Sequence, residues 1–204
     1  GDIRFALRQL MKSPGFAVTA LLTLTIGIGA NAAVFSVLDA IVLRPMAVPD
    51  LKRVMTVEED RGRGKLNYEW ITAPNFRDWK QQNHAFEDLS MWRQDGMSLT
   101  GAGDAAHVTA TRATANFFHT LRIEPFMGRA FRGEEAQPGH DGEAVLGYTF
   151  WKTQFAGDPQ VVGKKIELNA RSYTVIGVMP MALVWPPLSD VYLPLALTPQ
   201  QWED

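Results

Sequence analysis

No cysteine occurs in the 204-residue chain. That excludes a disulfide framework and a thiolate-bound metal, and it leaves the compartment open, since extracytoplasmic domains can do without cysteine. Histidine is scarce: His84, His107, His119 and His140 are all there is. His84 and Glu87 form H-x-x-E, but a metal site needs at least three convergent ligands and no H-E-x-x-H pattern exists. His140-Asp141 sits in a polar stretch and reads as solvated. Charge excess is lacking too: 21% of residues are charged and the formal net charge is −2, so nothing calls for nucleic acid or acidic lipid as a partner. Phosphate-binding loops are missing. Gly27-Ile28-Gly29 lies in an apolar run, Gly62 and Gly64 are flanked by arginines, and neither continues into the Gly-Lys-Ser/Thr ending that holds nucleotide phosphate. No Gly-x-Ser-x-Gly nucleophile turn is present. The sequence therefore predicts no catalytic residue, no cofactor and no metal; if an ATP motor works with this protein, it lies on another chain or outside these 204 residues.

What the chain does have is one long apolar run. From Phe16 to Leu43 there is no Lys or Arg, and the only acid is Asp39. A helix needs roughly 20 residues to cross the hydrocarbon of a bilayer, so residues 16–43 read as a transmembrane helix. Arg4, Arg8 and Lys12 alternate with Ile3, Phe5, Leu7, Leu10 and Met11 before it. Residues 1–15 thus read as an amphipathic segment at headgroup level, broken from the spanning helix at Ser13-Pro14-Gly15. Arg44-Pro45 closes the far end. The positive-inside rule puts the N-terminus in the cytoplasm, with a modest bias because Arg44, Lys52 and Arg53 follow. A secretory signal peptide cut at Ala30-Asn31-Ala32 is the rival reading. Against it, the apolar run continues through Val34, Phe35, Val37, Leu38, Ile41, Val42 and Leu43, well beyond an h-region of about 7–15 residues.

Within the helix, Gly27, Gly29 and Ala33 are small, and Gly29 and Ala33 are four apart. Small residues let a second helix approach, and Asn31 can hydrogen-bond across the contact. Gly27, Gly29, Asn31 and Ala33 are the candidate helix-packing residues; a chance enrichment of small residues in such a helix is the competing reading.

From about Val48 the chain reads as soluble. Arg53–Glu58 alternates like a strand, and Arg61-Gly62-Arg63-Gly64 as a turn. Thr72-Ala73-Pro74 starts a helix, since Pro suits the first turn; it carries Phe76 and Trp79 and, after a break, Phe86 and Leu89 follow. Strands are expected over Met91–Leu99 and His107–Ala113, separated by a turn at Thr100–Asp104, then a short helix at Asn116–Leu121. Glu134–Asp141 reads as loop, Glu143–Leu146 as a strand and Thr149–Phe155 as a helix. Lys165–Leu168 and Ser172–Val178 form a hairpin across Asn169-Ala170-Arg171, and Val191–Pro194 is a last strand. Strands dominate with a few short helices, which is the α+β class. Trp70, Phe76, Trp79, Phe86 and Trp92 are interleaved with Glu69, Asp78, Glu87 and Asp88. Acids between the aromatics argue against base stacking and for a hydrophobic core, or else a groove for an apolar partner.

Three stretches carry a resemblance. They are the opening DIRFALRQLMKSPGFAVTALLTLTIGIGANAAVFSVLDAIVLRP, ATANFFHTLRIEPFMGRAF from Ala113 to Phe131, and AVLGYTFWKTQFAGDPQVVGKKIELNARSYTVIGVMP from Ala144 to Pro180. In their order and spacing they resemble the MacB/FtsX-type permeases of ABC transporters, more narrowly the acidobacterial duplicated orphan permeases. Asp158-Pro159, Val162-Gly163, Leu168-Asn169, Tyr173 and Val175–Val178 carry the last match. The resemblance implies a first membrane helix followed by a periplasmic core domain over residues 48–204. The domain would divide into a porter-like part over about 48–130 and a Sabre-like part over about 131–204, in the bacterial inner membrane. It also implies partners: a separate ABC-type ATPase, and a homodimer mate or a second permease half, in the lipid bilayer and without nucleic acid. ATP hydrolysis on the partner would drive periplasmic work or efflux by mechanotransmission. The chain opens on Gly1 and ends at Trp202-Glu203-Asp204 without an evident terminal element, which reads as an N-terminal fragment stopping before the returning half of the porter and the later membrane helices. A single-anchor sensory or binding domain outside the cytoplasm is the alternative. A secreted hydrolase comes third, for want of a convergent site.

Overall fold

The computed structural model describes residues 13–38, 51–60, 68–69, 71–100, 106–181, 183, 186 and 189–203. The expected amphipathic segment before Ser13, the end of the apolar run at Arg44-Pro45, the Arg61–Gly64 turn, Trp70 and the turn at residues 101–104 lie outside them. The chain divides into two units, Gly1–Pro45 and Met46–Asp204.

In the first unit, α1 runs Pro14–Leu38. Pro14 occupies the first helical position, where its missing N–H costs nothing, and the Ser13 carbonyl accepts from Ala17 N–H at 3.1 Å. At 1.5 Å per residue the helix is about 37 Å long, enough for a hydrocarbon core of about 30 Å. Its window Pro14–Phe35 has a mean hydropathy of 1.8. Apolar side chains point in every direction, with Phe16, Leu21, Leu22, Ile26, Ile28, Val34 and Phe35 all exposed. Three threonines turn inward on their own backbone. Thr19, Thr23 and Thr25 donate to the carbonyls of Gly15, Thr19 and Leu21 at 2.8–2.9 Å. That is how hydroxyls are kept satisfied where water is absent.

The second unit is built on one sheet. In chain order its elements are β1 (Glu59–Asp60), β2 (Tyr68–Glu69), α2 (Ala73–Gln81), β3 (Trp92–Thr100), β4 (Ala106–Ala113), α3 (Phe117–Thr120), β5 (Met127–Gly128), β6 (Glu143–Leu146), α4 (Tyr148–Gln154), β7 (Lys165–Leu168), β8 (Arg171–Val178) and β9 (Val191–Pro194). Short 3-10 turns occur at Leu51–Arg53, Gly133–Ala136 and Gln200–Trp202. β1 and β2 form a separate two-residue ladder. The main sheet has the order β5-β8-β6-β9-β4-β3-β7, and β7 pairs with β8 as well. The strands from β8 round to β7 therefore close into a ring, with β5 added on β8. The pairs β4–β9 and β6–β8 are parallel and the others antiparallel. Strands from both sides of residue 130 share this one sheet.

Alternation along the strands makes two cores, one on each face. Ala144 and Leu146 of β6, Val191 and Leu193 of β9, and Val108 and Ala110 of β4 pack inside with Leu99, Ile166, Leu168 and Tyr173. Phe150 and Trp151 of α4 join that inner cluster. Val145 and Tyr192, on the opposite face, pack with Phe117, Phe118, Phe131 and Ile176. The register of β6 on β8 skips Ile176. This bulge lets Val175 and Val178 both reach the inner core while Ile176 faces the outer one.

Two glycines allow β5 to lie against β8. Gly128, at φ +76°, and Gly177 are direct partners. A Cβ on Gly177 would stand 2.5 Å from the Arg129 carbonyl oxygen. The hairpin β7–β8 turns through Asn169 and Ala170, both left-handed at φ 49° and 60°, the conformation a two-residue loop of matching twist requires.

The expected elements from Thr72 onward are present, each within a residue or two. One expectation fails: Arg53–Glu58 is no strand. Residues 51–53 are a 3-10 turn, 54–58 have no regular structure, and pairing begins only at Glu59. Alternation marks a strand only where a neighbour takes its hydrogen bonds; here Met55 stands 71% exposed.

Candidate functional site

The second unit holds a groove of about 1000 Å³. One wall is the irregular Arg53–Glu58 segment. The other comes from α2 and from the turn at Ala85–Met91, and α3 contributes the floor. Thr72 caps α2, its Oγ1 accepting from Asn75 N–H at 3.4 Å. This sets Phe76 and Trp79 on the groove side, with Phe76 buried and Trp79 half-buried. After α2, Asn83 Oδ1 accepts from the N–H groups of Ala85 and Phe86 at 3.1 and 2.8 Å. The resulting turn presents Phe86, 40% exposed, to the groove. Phe117 and Leu121 close the floor and belong to the outer core. The aromatics expected as core therefore divide. Phe76 is inside, Trp79 and Trp92 are half-buried, Phe86 is exposed, and Trp70 lies outside the described residues.

Acids hold the groove's parts together. Glu87 pairs with Arg53 at 3.2 Å and with Arg122 at 2.9 Å, joining the irregular wall to the chain just past α3. Asp88 accepts from Asn116 Nδ2 at 2.6 Å and from Thr120 Oγ1 at 3.3 Å, and Lys80 lies 3.4 Å away. Burial by itself would raise the Asp88 carboxyl. The hydrogen bonds from Asn116 and the Leu89 N–H, with the charge of Lys80, outweigh it and hold the group below the ordinary range.

His84, His107, His119 and His140 are exposed, and Glu87, the other half of the H-x-x-E pair, is engaged by arginines. Among the described residues no three His, Asp or Glu side chains converge as a metal site. The groove offers shape, aromatic surface and peripheral charge, which suits binding.

The packing candidates of α1 are all exposed. Nothing would meet a Cβ on Gly27 or Gly29. Asn31 Nδ2 donates to the Gly27 carbonyl at 2.9 Å, so that hydrogen is used within the helix. A groove is the second of the two readings the sequence offers for the aromatics between Trp70 and Trp92, and Phe76, Trp79, Phe86 and Trp92 do line it; nothing in the sequence marks Arg53–Glu58 as its other wall. Sequence reasoning missed an acid–arginine group around Glu143, described below; alternation marks Glu143 as a strand residue and nothing more.

The profile of the MacB-like periplasmic core domain family matches residues 17–203. Among solved structures, the periplasmic region of MacB from Actinobacillus actinomycetemcomitans superposes with a TM-score of 0.55 at 14% identity, covering 74% of this chain and 70% of that one. The extracellular domain of YknZ, a noncanonic ABC-type transporter from Gram-positive bacteria, gives a TM-score of 0.48 at 15% identity, covering 58% of this chain and 59% of that one. No curated protein sequence matches the chain.

Proposed function

The chain belongs to the MacB-like periplasmic core domain family, and on that premise we propose that it is part of the permease subunit of a MacB/FtsX-type ABC transporter. The observation that carries this reading is the continuity of the family match, which runs from α1 through the whole sheet to residue 203. In this reading α1 anchors the chain in the inner membrane with its N-terminus cytoplasmic, and the sheet domain stands in the periplasm. The domain does mechanical work and no covalent chemistry. A separate ABC-type ATPase supplies the energy, and a second permease half or a second copy completes the assembly. Gly29 and Ala33, four apart, form the face on which α1 meets another helix, and Gly27 and Asn31 lie together on the opposite side. The domain keeps a porter-like part over about 48–130 and a Sabre-like part over about 131–204, with strands of both in one sheet.

The groove favours one other reading, a single-anchor binding domain, because about 1000 Å³ of partly aromatic concavity is within the range of a ligand site. The absence of cysteine makes the two separable. Single cysteines placed at Ser172 and at Gly1 report sidedness in intact cells with a membrane-impermeant thiol reagent. Labelling at 172 and not at 1, with uncut protein in alkali-washed membranes, supports the anchor. Co-purification of an ABC-type ATPase with the full-length parent protein then supports the permease, and its consistent absence supports the binding domain. A soluble product cut near Ala32 sinks both.

A further inference from the structure

Glu143 opens β6 and pairs with Thr174 of β8. It shares a face with Val145, whose side chain packs in the outer core with Phe131 and Ile176. Two other acids reach the same place from the loop before it, and each has taken an arginine. Glu135, buried, pairs with Arg129 at 2.5 Å and accepts from the Arg132 N–H at 2.9 Å. Asp141, buried, accepts from Arg171 at 2.7 Å. Glu143 Oε2 is also out of water, and among the described residues it has no hydrogen-bond partner. An ionised carboxylate with an orphaned buried oxygen is costly, and two neighbouring carboxylates make it more so.

We propose that Glu143 and the segment 129–142 form a proton-operated latch: with Glu143 uncharged the Arg129–Glu135 turn closes on the sheet, and with Glu143 ionised it loosens. The groups facing Glu143 are Glu135, Asp141 and His140 from the loop and Arg129 from the end of β5, with Glu134 and Arg171 behind Arg129 and Asp141. Burial first, then the charges of Glu135 and Asp141, push its carboxyl above the ordinary range, against Arg129 and His140. A raised folded-state value means the stabilisation is complete below the unfolded value and is lost as pH rises through the folded one. The latch is therefore closed below the ordinary carboxylate range and loosens as pH rises through the raised folded value. Asp141 works in the opposite sense and lower down: its carboxyl is held below the ordinary range, so its contribution fails only in stronger acid.

The test is amide exchange of residues 133–142 in the full chain in detergent, from about pH 5 to about pH 7.5, corrected for intrinsic rates. The amides of β8 serve as the internal reference. Protection of the segment should fall as pH rises through the folded value of Glu143, and Glu143→Gln should keep the acid-level protection at every pH. A flat wild-type profile, or a slope that survives in Glu143→Gln, overturns the proposal. Should that variant fail to fold, the carboxyl carbon shift of Glu143 in the wild type decides: a midpoint above the ordinary carboxylate range upholds the latch, and one at or below it ends it.

Discussion

Asn169 and Ser98 exchange two hydrogen bonds. The Asn169 N–H donates to the Ser98 carbonyl at 2.9 Å, and Asn169 Oδ1 accepts from the Ser98 N–H at 2.8 Å. The ladder between β3 and β7 is only Leu99↔Leu168 and Thr100↔Glu167, so this side chain lengthens the seam that closes the ring. Asn169→Gly keeps the left-handed turn and removes only the side-chain acceptor; it should cost about 0.5–1.5 kcal/mol. Asn169→Leu adds the strain of φ 49° and should cost about 1–2 kcal/mol more. Urea unfolding of the three proteins measures both steps, and equal losses for the two variants would assign the whole cost to the side-chain bond and none to the left-handed backbone.

Gly177→Ala tests the approach of β5 to β8. The new methyl meets backbone oxygens, which cannot swing away as a side chain does. A loss of about 2–3 kcal/mol is expected from overpacking. A thermal shift indistinguishable from wild type would mean that β5 separates from β8 at no cost.

Phe118→Ala should cost about 3–5 kcal/mol, because Phe118 is fully buried and stacks on Phe117, Tyr192 and Phe131 at centroid distances of 5.2–5.4 Å. Glu87→Ala should cost under about 1 kcal/mol in spite of losing two ion pairs, since Glu87 and both arginines are largely exposed. The pair of variants separates packing from surface charge; a larger loss for Glu87→Ala would show that its bridge between Arg53 and Arg122 holds the groove wall.

Acid stability follows from Asp88 and Asp141. Burial would raise both, but for Asp88 the bonds from Asn116 and the Leu89 N–H prevail, and for Asp141 the bond from Arg171. Both carboxyls lie below the ordinary range when folded. Their stabilisation is therefore present above the unfolded value of about 3.9 and is lost as pH falls through it toward the folded value. Asp141→Asn should flatten the decline of urea stability below about pH 4.5, and an unchanged acid slope would place the titration elsewhere.

Gly29→Leu should weaken association of α1 with a neighbouring helix by closing the small-residue face. Cysteine cross-linking in membranes of the full-length protein reads this directly. Undiminished cross-linking would move the contact to another face of the helix.

Local chemistry was legible in the sequence, and long-range pairing was not. Thr72-Ala73-Pro74 announces α2, and Asn169-Ala170 between alternating runs announces the β7–β8 hairpin. Those signals lie within a few residues of what they specify. Arg53–Glu58 alternates just as clearly, yet it forms a groove wall, because a strand depends on a partner that its own sequence does not contain. The ring closure depends on Ser98 meeting Asn169, and Glu143 Oε2 loses water beside groups brought from the end of β5 and the loop that follows it. The engagement of Asn31 with the Gly27 carbonyl needed the helix itself.

The sheet wall has a core on each side, and this fixes what kinds of length change the gene can tolerate. Ala144, Val145 and Leu146 face inner, outer and inner core in turn. One residue added within β6 would invert both sets at once, turning inner residues outward and outer ones in. A pair of residues would keep every parity intact. Substitution by another apolar residue of similar volume disturbs one core only. Strand lengths here change by even steps unless a bulge such as the one at Ile176 takes up the odd residue, and other unpaired insertions are left to the turns between the strands.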